Sequence, residues 1–177
     1  MAGISFSQNF KTVDEMTGAH SEDLHYSLNS AGLNYSSFTG DRLGFFSDVN
    51  ILMPFTSSYE SSSPESNRGF SLDYMGGIGW NLRIQRITFL PAAGFHGDYT
   101  FLSKDPLDEN MSNHLFSFGL GVNLKMLYRI KEKHHVFWGI RGGLDTIEFT
   151  SASYDSRVIR LKTKWTYLLS AGYALSL

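Results

Sequence analysis

The chain has 177 residues, with 15 Lys and Arg against 17 Asp and Glu, a charged fraction of 18% and no Cys. This length fits one domain, so we interpret residues 1–177 as a single domain. The near-neutral balance offers no basic stripe that could bind nucleic acid. The absence of Cys excludes a disulfide scaffold and a thiolate metal site, and we predict no metal and no cofactor.

A membrane-spanning helix is excluded, because it needs about 20 mostly apolar residues in a row and the longest clean apolar run here covers residues 51–55. Disorder is excluded by the aromatic residues, which make up 15% of the chain and are spread along it. No charged-then-apolar signal segment precedes Gly3. For an exported protein we therefore expect a removed signal, with Met1 as an added start residue.

The main pattern is an apolar residue at every second position, which places one set of side chains on each face of a β-strand. The alternation is unbroken over residues 70–84. The predicted strands cover residues 4–10, 26–38, 43–55, 70–84, 87–101, 116–130, 136–144 and 159–177. The second segment changes phase, which predicts a β-bulge near residues 30–32.

The connections between these strands alternate in length. Tight turns are predicted at residues 39–42, 85–86 and 131–134, and long polar loops at 13–24, 56–68, 102–113 and 150–157. This alternation is typical of an up-and-down antiparallel barrel that has turns at one end and loops at the other. The loops hold most of the acidic residues, so the loop end is predicted to be acidic.

Alternation alone also fits a soluble barrel or sandwich with an aromatic core. In that case Lys and Glu should fill the opposite face, but all seven Glu residues lie in loops, in a turn or near a strand end. The opposite positions are mostly small, as at Gly77, Gly119 and Gly121. Six of the eight predicted strands also exceed the 9–11 residues or so that cross a bilayer, where a sheet must close on itself. We therefore predict an all-β, eight-stranded transmembrane barrel.

Aromatic residues collect toward both ends of the predicted strands, as in the interfacial girdles of membrane barrels. The expected girdle at the short-turn end contains Phe45, Trp80, Phe89, Tyr128, Trp138 and Tyr173. The expected girdle at the loop end contains Phe55, Phe70, Tyr99, Phe101, Phe116 and Trp165.

This pattern resembles the small eight-stranded outer-membrane proteins of Gram-negative bacteria, namely the OmpX-like and OmpA transmembrane-domain group, with OmpW-like barrels nearby. The end of the chain is similar to the C-terminal assembly signal of such proteins at Gly172, Tyr173, Leu175 and Leu177, although the usual last residue is aromatic. The resemblance implies recognition by the barrel assembly machinery and an outer-membrane location. It also implies periplasmic termini and short turns, with four extracellular loops.

Charged residues at inward positions are the first candidates for a site. They are Asp48, Asp73, His96, Asp98, Lys125, Arg129, Arg141, Asp145, Arg160, Lys162 and Lys164. Charges in a narrow lumen of low dielectric constant are costly unless they are paired. Eight strands leave an interior that side chains just fill, so we predict a polar network that plugs the lumen and leaves no large pore.

The histidines give weak support for catalysis or metal binding. His96 and Asp98 share the inward face, but no partnered nucleophile is identifiable. His114 has Ser112 and Ser117 nearby, yet the motifs of barrels that modify lipid A are absent. Adjacent His134 and His135 point to opposite faces and cannot bind one metal together.

Two prolines lie within predicted strands: Pro91 interrupts the fifth strand on its apolar face, and Pro54 lies at the outer part of the third. Proline lacks a backbone N–H, so within a closed sheet each one removes a ladder hydrogen bond or requires a bulge. We interpret both as single absorbed defects, and as candidates for a lateral gate if the wall opens there.

These observations favour a non-enzymatic integral outer-membrane protein that displays surface loops for envelope integrity or adhesion. The expected partners are outer-membrane lipids and lipopolysaccharide, and a host or surface ligand that contacts the loops. One alternative is a narrow, OmpW-like channel or carrier for small hydrophobic molecules. A second alternative is a barrel enzyme that modifies lipid A.

Overall fold

The computed structural model describes the backbone of residues 1–17, 20–59, 65–103, 113–152, 158–160 and 164–176. Within these ranges, side chains are described except at residues 11–17, 20–26, 59, 65, 113, 148–152, 158–160 and 164. The strands are β1 (Ala2–Thr17), β2 (His20–Gly40), β3 (Leu43–Tyr59), β4 (Glu65–Ser66), β5 (Gly69–Trp80), β6 (Leu82–Ile84), β7 (Ile87–Leu102), β8 (Asn113–Lys131), β9 (His134–Ala152), β10 (Val158–Arg160) and β11 (Lys164–Leu175). The described part of the chain contains no helix that could span a membrane.

The strands form a closed antiparallel barrel with eight strand positions. The fourth position holds β4, β5 and β6 in succession, and the eighth holds β10 and β11. Each position pairs with the next, and the ring closes between β11 and β1, where Ala2 lies opposite Leu175. This arrangement confirms the predicted all-β, eight-stranded antiparallel barrel.

Polar side chains face the barrel axis and apolar side chains face outward. On β3, Asp48 and Asn50 are buried, whereas Ile51 is 41% exposed and Met53 is 67% exposed. A soluble protein shows the reverse arrangement, with apolar residues inside. The described side chains therefore do not form the soluble barrel with an aromatic core, and an exterior of this kind is suited to hydrocarbon.

The predicted aromatic girdles lie on the outer surface. Exposed members are Phe45, Trp80, Tyr128, Trp138 and Tyr173 at the short-turn end and Phe55, Phe70, Phe116 and Trp165 at the loop end. Phe89, Tyr99 and Phe101 are half-buried. Large rings at both edges of an apolar band are typical of barrels that meet two interfaces.

The three tight turns gather at one end of the barrel, as predicted. Gly40 precedes the first turn with φ of 134°, a backbone conformation that favours glycine. A Cβ atom at this position would also lie 2.6 Å from the carbonyl oxygen of Leu43. The hairpin between β2 and β3 thus depends on a glycine at this point.

The first predicted loop is mostly wrong. Residues 13–17 and 20–24 continue β1 and β2, and the two strands pair as far as Thr17 opposite His20. β3 and β9 also run past their predicted ends, to Tyr59 and Ala152. Backbone pairing satisfies N–H and C=O groups whatever the side chains are, so a strand without an apolar face leaves no alternation to read. The predicted loop residues 60–64, 104–112 and 153–157 lie outside the described residues.

A bulge occurs at the predicted height but on the neighbouring strand. The β2–β3 register shifts between Asn29 and Ser30, which lie opposite Thr56 and Pro54, so the extra residue is Phe55 on β3. β2 itself keeps its phase, because the buried Leu28 is an apolar side chain that points inward. Leu28 therefore accounts for part of the change of phase in the sequence, and the side chain of Tyr26, which also suggested it, lies outside the described residues.

Both prolines coincide with irregular pairing. Pro54 adjoins the bulge on β3. Opposite Pro91, the pairing of β7 passes from Gly79 at the end of β5 to Leu82 at the start of β6 and skips two residues. The missing N–H of proline explains this gap in the ladder.

Candidate functional site

Four buried charged residues on four strands form an ion-paired network across the lumen. Lys125 Nζ lies 2.7 Å from Asp48 Oδ1, and Arg141 Nη2 lies 2.5 Å from Asp48 Oδ2. Arg141 Nη1 also donates to Asp73. The partners come from β3, β5, β8 and β9, so the network ties distant parts of the wall together. Two cations and two carboxylates balance, which offsets the cost of burying each charge.

Neutral polar residues complete this network. Asn34 Nδ2 donates to Asp48 Oδ1 at 3.0 Å and to Asn50 Oδ1 at 2.7 Å. Lys125 Nζ donates to Asn34 Oδ1 at 2.7 Å and to Ser36 Oγ at 2.5 Å. Only charged residues were predicted to form the network, so Asn34, Ser36 and Asn50 were not predicted. The signal was available, because all three occupy inward positions of strands whose outward positions are apolar.

A second polar group lies around His96. Its Nε2 atom is 2.9 Å from Asp145 Oδ1, and Thr166 donates a hydrogen bond to the other oxygen of Asp145. Space is tight here, since a Cβ atom at Gly143 would lie 2.4 Å from the imidazole ring. A histidine held between a carboxylate and backbone fits a structural network member better than a catalytic base.

Asp98 belongs to a third polar group. Its carboxylate accepts hydrogen bonds of 3.3 Å from Ser71 and from Thr100, whose hydroxyls are 2.9 Å apart. All three side chains are buried. His96 and Asp98, which the sequence placed on one face, thus belong to different groups, and neither adjoins an activated nucleophile in the geometry described.

An apolar cluster fills the lumen toward the short-turn end. Its buried members are Phe46, Met75, Leu90, Ala92, Leu127, Phe137 and Ala174. Phe137 also contacts the polar network, with Lys125 Nζ 4.6 Å from the ring centroid. The polar network and the apolar cluster are therefore packed against each other across the barrel. The sequence pattern predicts apolar residues only on the outside, so this cluster was not predicted.

Seven of the residues predicted to face the lumen belong to these three polar groups. They are Asp48, Asp73, His96, Asp98, Lys125, Arg141 and Asp145. The prediction that Arg129 belongs to the network was wrong. Its side chain is exposed at the short-turn end of β8, beyond the buried part of the strand. The side chains of Arg160, Lys162 and Lys164 lie outside the described residues.

His114 lies on the outer surface, whereas the side chains of His20 and His25 lie outside the described residues. His114 Nδ1 lies 2.8 Å from the Tyr99 hydroxyl on the outer face, whereas Ser117 is buried on the inner face. Ser112 lies outside the described residues. His114 and Ser117 therefore cannot meet as a catalytic pair.

His134 and His135 bind different partners. His134 contacts the Tyr173 hydroxyl, and His135 Nε2 lies 2.8 Å from Ser176 Oγ. Within the described ranges, no group of three His, Asp or Glu side chains could hold a metal ion. Two residues of the predicted assembly signal have local packing roles, since Tyr173 bonds His134 and a Cβ atom at Gly172 would lie 2.8 Å from the Phe137 ring.

A groove of about 500 Å³ lies on the wall where β9, β11, β1, β2 and β3 adjoin. Its lining residues are Phe6, Ser7, Gln8, Asn29, Ser30, Phe55, Trp138, Gly139, Ile140, Leu169, Ser170 and Ala171. The groove includes the bulge beside Pro54. Pro91 lies on β7 and does not line it.

Neither a protein-family model nor a curated protein sequence matches the chain. Its fold is similar to that of outer membrane protein OprG from Pseudomonas aeruginosa, with a TM-score of 0.58 and 12% identity over 98% of this chain and 94% of that chain. It is also similar to outer membrane protein AlkL in DMPC lipid bilayers, with a TM-score of 0.61 and 9% identity over 99% of this chain and 88% of that chain. These similarities confirm the predicted resemblance at the level of the fold.

Proposed function

We propose that this chain is an integral outer-membrane protein without enzymatic activity, whose closed barrel anchors a surface-exposed loop end. One observation carries the proposal: the lumen is occupied by the ion-paired network and by the apolar cluster packed against it. A barrel closed in this way is suited to holding surface elements in place. The similarity in fold to outer-membrane barrels and the apolar exterior support the location. The orientation that we propose has the short turns in the periplasm and the loops outside.

A conductance measurement tests the closed lumen. The refolded chain is inserted into a planar bilayer, with a general porin as positive control and detergent alone as blank. We expect no steps above the blank, because Lys125 and Arg141 are fixed by several buried hydrogen bonds. Regular conductance steps that depend on the protein would contradict this proposal. Heat-dependent mobility on a gel checks that the inserted chain is a folded barrel.

The hairpin of β1 and β2 supports a display role. Its paired strands reach Thr17 and His20, well past Phe10 on the outer face. Asp14 lies opposite Asp23 in the backbone register, and Glu15 lies opposite Glu22. Like charges at facing positions are unfavourable without counterions. We infer that this hairpin meets lipopolysaccharide through divalent cations, or a host ligand that carries basic groups.

Shortening the hairpin tests this role. Replacing residues 13–24 with a two-residue turn should leave the barrel folded and reduce adhesion of expressing cells to host cells or to immobilised lipopolysaccharide. A second variant separates charge from length: it replaces Asp14, Glu15, Glu22 and Asp23 with Asn or Gln and keeps the full hairpin. Unchanged adhesion in both variants would exclude the hairpin as the contact element.

A carrier of small hydrophobic molecules is the second candidate. The groove on the wall favours it, because Phe6, Phe55 and Trp138 surround a floor of small residues beside the bulge at Pro54. Binding of a fluorescent fatty acid to the refolded chain, compared with an Ala171→Trp variant that fills the groove, tests this candidate. Equal binding by both proteins would refute a site in the groove.

A further inference from the structure

The short-turn end carries unpaired positive charge. Its cationic side chains are Arg42, Arg83, Arg86, Arg129, Lys131 and Lys133, all of them exposed. The turns and adjoining strand ends contribute only two acidic side chains, Asp41 and Glu132, which leaves an excess of four positive charges. Among the described residues, none of the six cations forms an ion pair, whereas the buried charges of the lumen do. We call these six residues the basic ring.

The basic ring adjoins the outward aromatic residues of the same end. Trp80 pairs with Leu43, and the N–H of Asn81 donates to the carbonyl oxygen of Arg42 at 2.7 Å. Trp80 is 50% exposed on the outer surface. Exposed Trp and Tyr mark the depth at which a barrel meets lipid headgroups. The ring therefore lies at the headgroup level, spread over three turns around the circumference.

Two arginines of the ring, Arg42 and Arg83, line one open pocket of about 480 Å³ together with Gly40, Asp41 and Asn81. Guanidinium groups match phosphate oxygens in geometry and bind them through paired hydrogen bonds. A pocket with two such groups at headgroup depth fits a phosphodiester.

We propose that the basic ring binds anionic phospholipid headgroups of the leaflet at the short-turn end, with a phosphate held between Arg42 and Arg83. This inference rests on the proposed membrane location. Cationic side chains next to an anionic leaflet favour its lipids over zwitterionic ones. A lipid fits better than a free anion, because the ring follows the rim of the wall beside the outward aromatic residues.

The three tryptophans allow a direct measurement, since the chain has no others. Trp80 lies at the short-turn end and Trp165 at the loop end of the outer surface. One variant, W138F/W165F, keeps only Trp80, and a second, W80F/W138F, keeps only Trp165. Each full-length variant is reconstituted in phosphatidylcholine vesicles that contain either brominated phosphatidylglycerol or brominated phosphatidylcholine, and quenching of tryptophan fluorescence is compared.

We expect brominated phosphatidylglycerol to associate near Trp80 at least about threefold more strongly than brominated phosphatidylcholine, and high salt to reduce the difference. Trp165 should show no such preference. Adding R42Q/R83Q to the Trp80 variant should remove most of it, whereas R68Q, which neutralises an exposed arginine at the loop end, should leave it unchanged. Heat-dependent gel mobility confirms that every variant is folded.

The outcomes separate the possible failures. Strong quenching of Trp80 by both lipids to the same extent would overturn the headgroup site and leave the membrane location intact. No quenching of either tryptophan by either lipid would overturn the membrane location itself. Loss of the preference when millimolar glycerol phosphate is added would assign the pocket to free phosphates and overturn the lipid.

Discussion

Replacing Arg141 with Met tests the ion-paired network most sharply. The guanidinium bridges Asp48 and Asp73, and it is the cation that reaches Asp73. Asp48 would keep Lys125 at 2.7 Å, but among the described side chains Asp73 would retain only the amide of Asn50 at 2.8 Å. Removing one partner of a buried ion pair typically costs about 3–5 kcal/mol. We expect a loss of unfolding free energy in that range.

The assay is urea-induced unfolding and refolding of the chain in lipid vesicles, both monitored by tryptophan fluorescence. The double variant D73N/R141M removes the stranded charge, so it should recover a large part of the loss. A matched control, R68Q, neutralises an exposed arginine and should change stability by less than about 0.5 kcal/mol. A loss below about 1 kcal/mol for R141M, or no gain in stability when D73N is added to R141M, would refute this role of the network.

Three further predictions concern packing and the wall. Gly143→Val should destabilise the barrel by about 1–3 kcal/mol, because the new valine side chain would meet the His96 ring. The control Gly142→Ala should be tolerated, since its Cβ would meet Val122 at 3.8 Å and Tyr167 at 3.9 Å. Equal urea midpoints for the two variants would contradict the prediction. Phe137→Ala should cost about 3–5 kcal/mol in the same assay by opening a cavity in the apolar cluster, and a loss below about 1 kcal/mol would show that the lumen collapses to fill it. Pro91→Val restores an N–H in the gap between β5 and β6, so the new amide at position 91 should be protected from hydrogen exchange, and fatty-acid binding should not change. Weaker binding would favour a gate at this proline.

Much of the fold follows from alternation alone. Residues 70–84 show it without interruption, and the two faces it defines correspond to the buried Asp73 and the exposed Leu72. Where an outward position is polar or an inward position is apolar, the pattern fails. Leu28 looked like a change of phase, and the strands beyond Thr12 looked like a loop.

The network itself was only partly predictable. Alternation identified Asp48, Asp73, Lys125 and Arg141 as inward residues, but it contains no information on which side chains meet across the axis. That depends on the stagger of the strands around the barrel. Alternation also does not show where along β8 the lumen ends, which is why Arg129 was predicted to lie inside it. Predicting the apolar cluster would require the position along the barrel axis at which the polar part of the lumen ends. The sequence of a single strand does not contain this position.

The buried ion pairs join residues that are far apart in the chain. Asp48 lies 77 positions from Lys125 and 93 from Arg141. These pairs can form only when β8 and β9 lie across the lumen from β3, which requires most of the barrel to be assembled. Contacts that form after the folding barrier slow unfolding much more than they speed folding. The network should therefore lower the unfolding rate of the completed barrel, so the protein should stay folded for a long time once its last strands have paired.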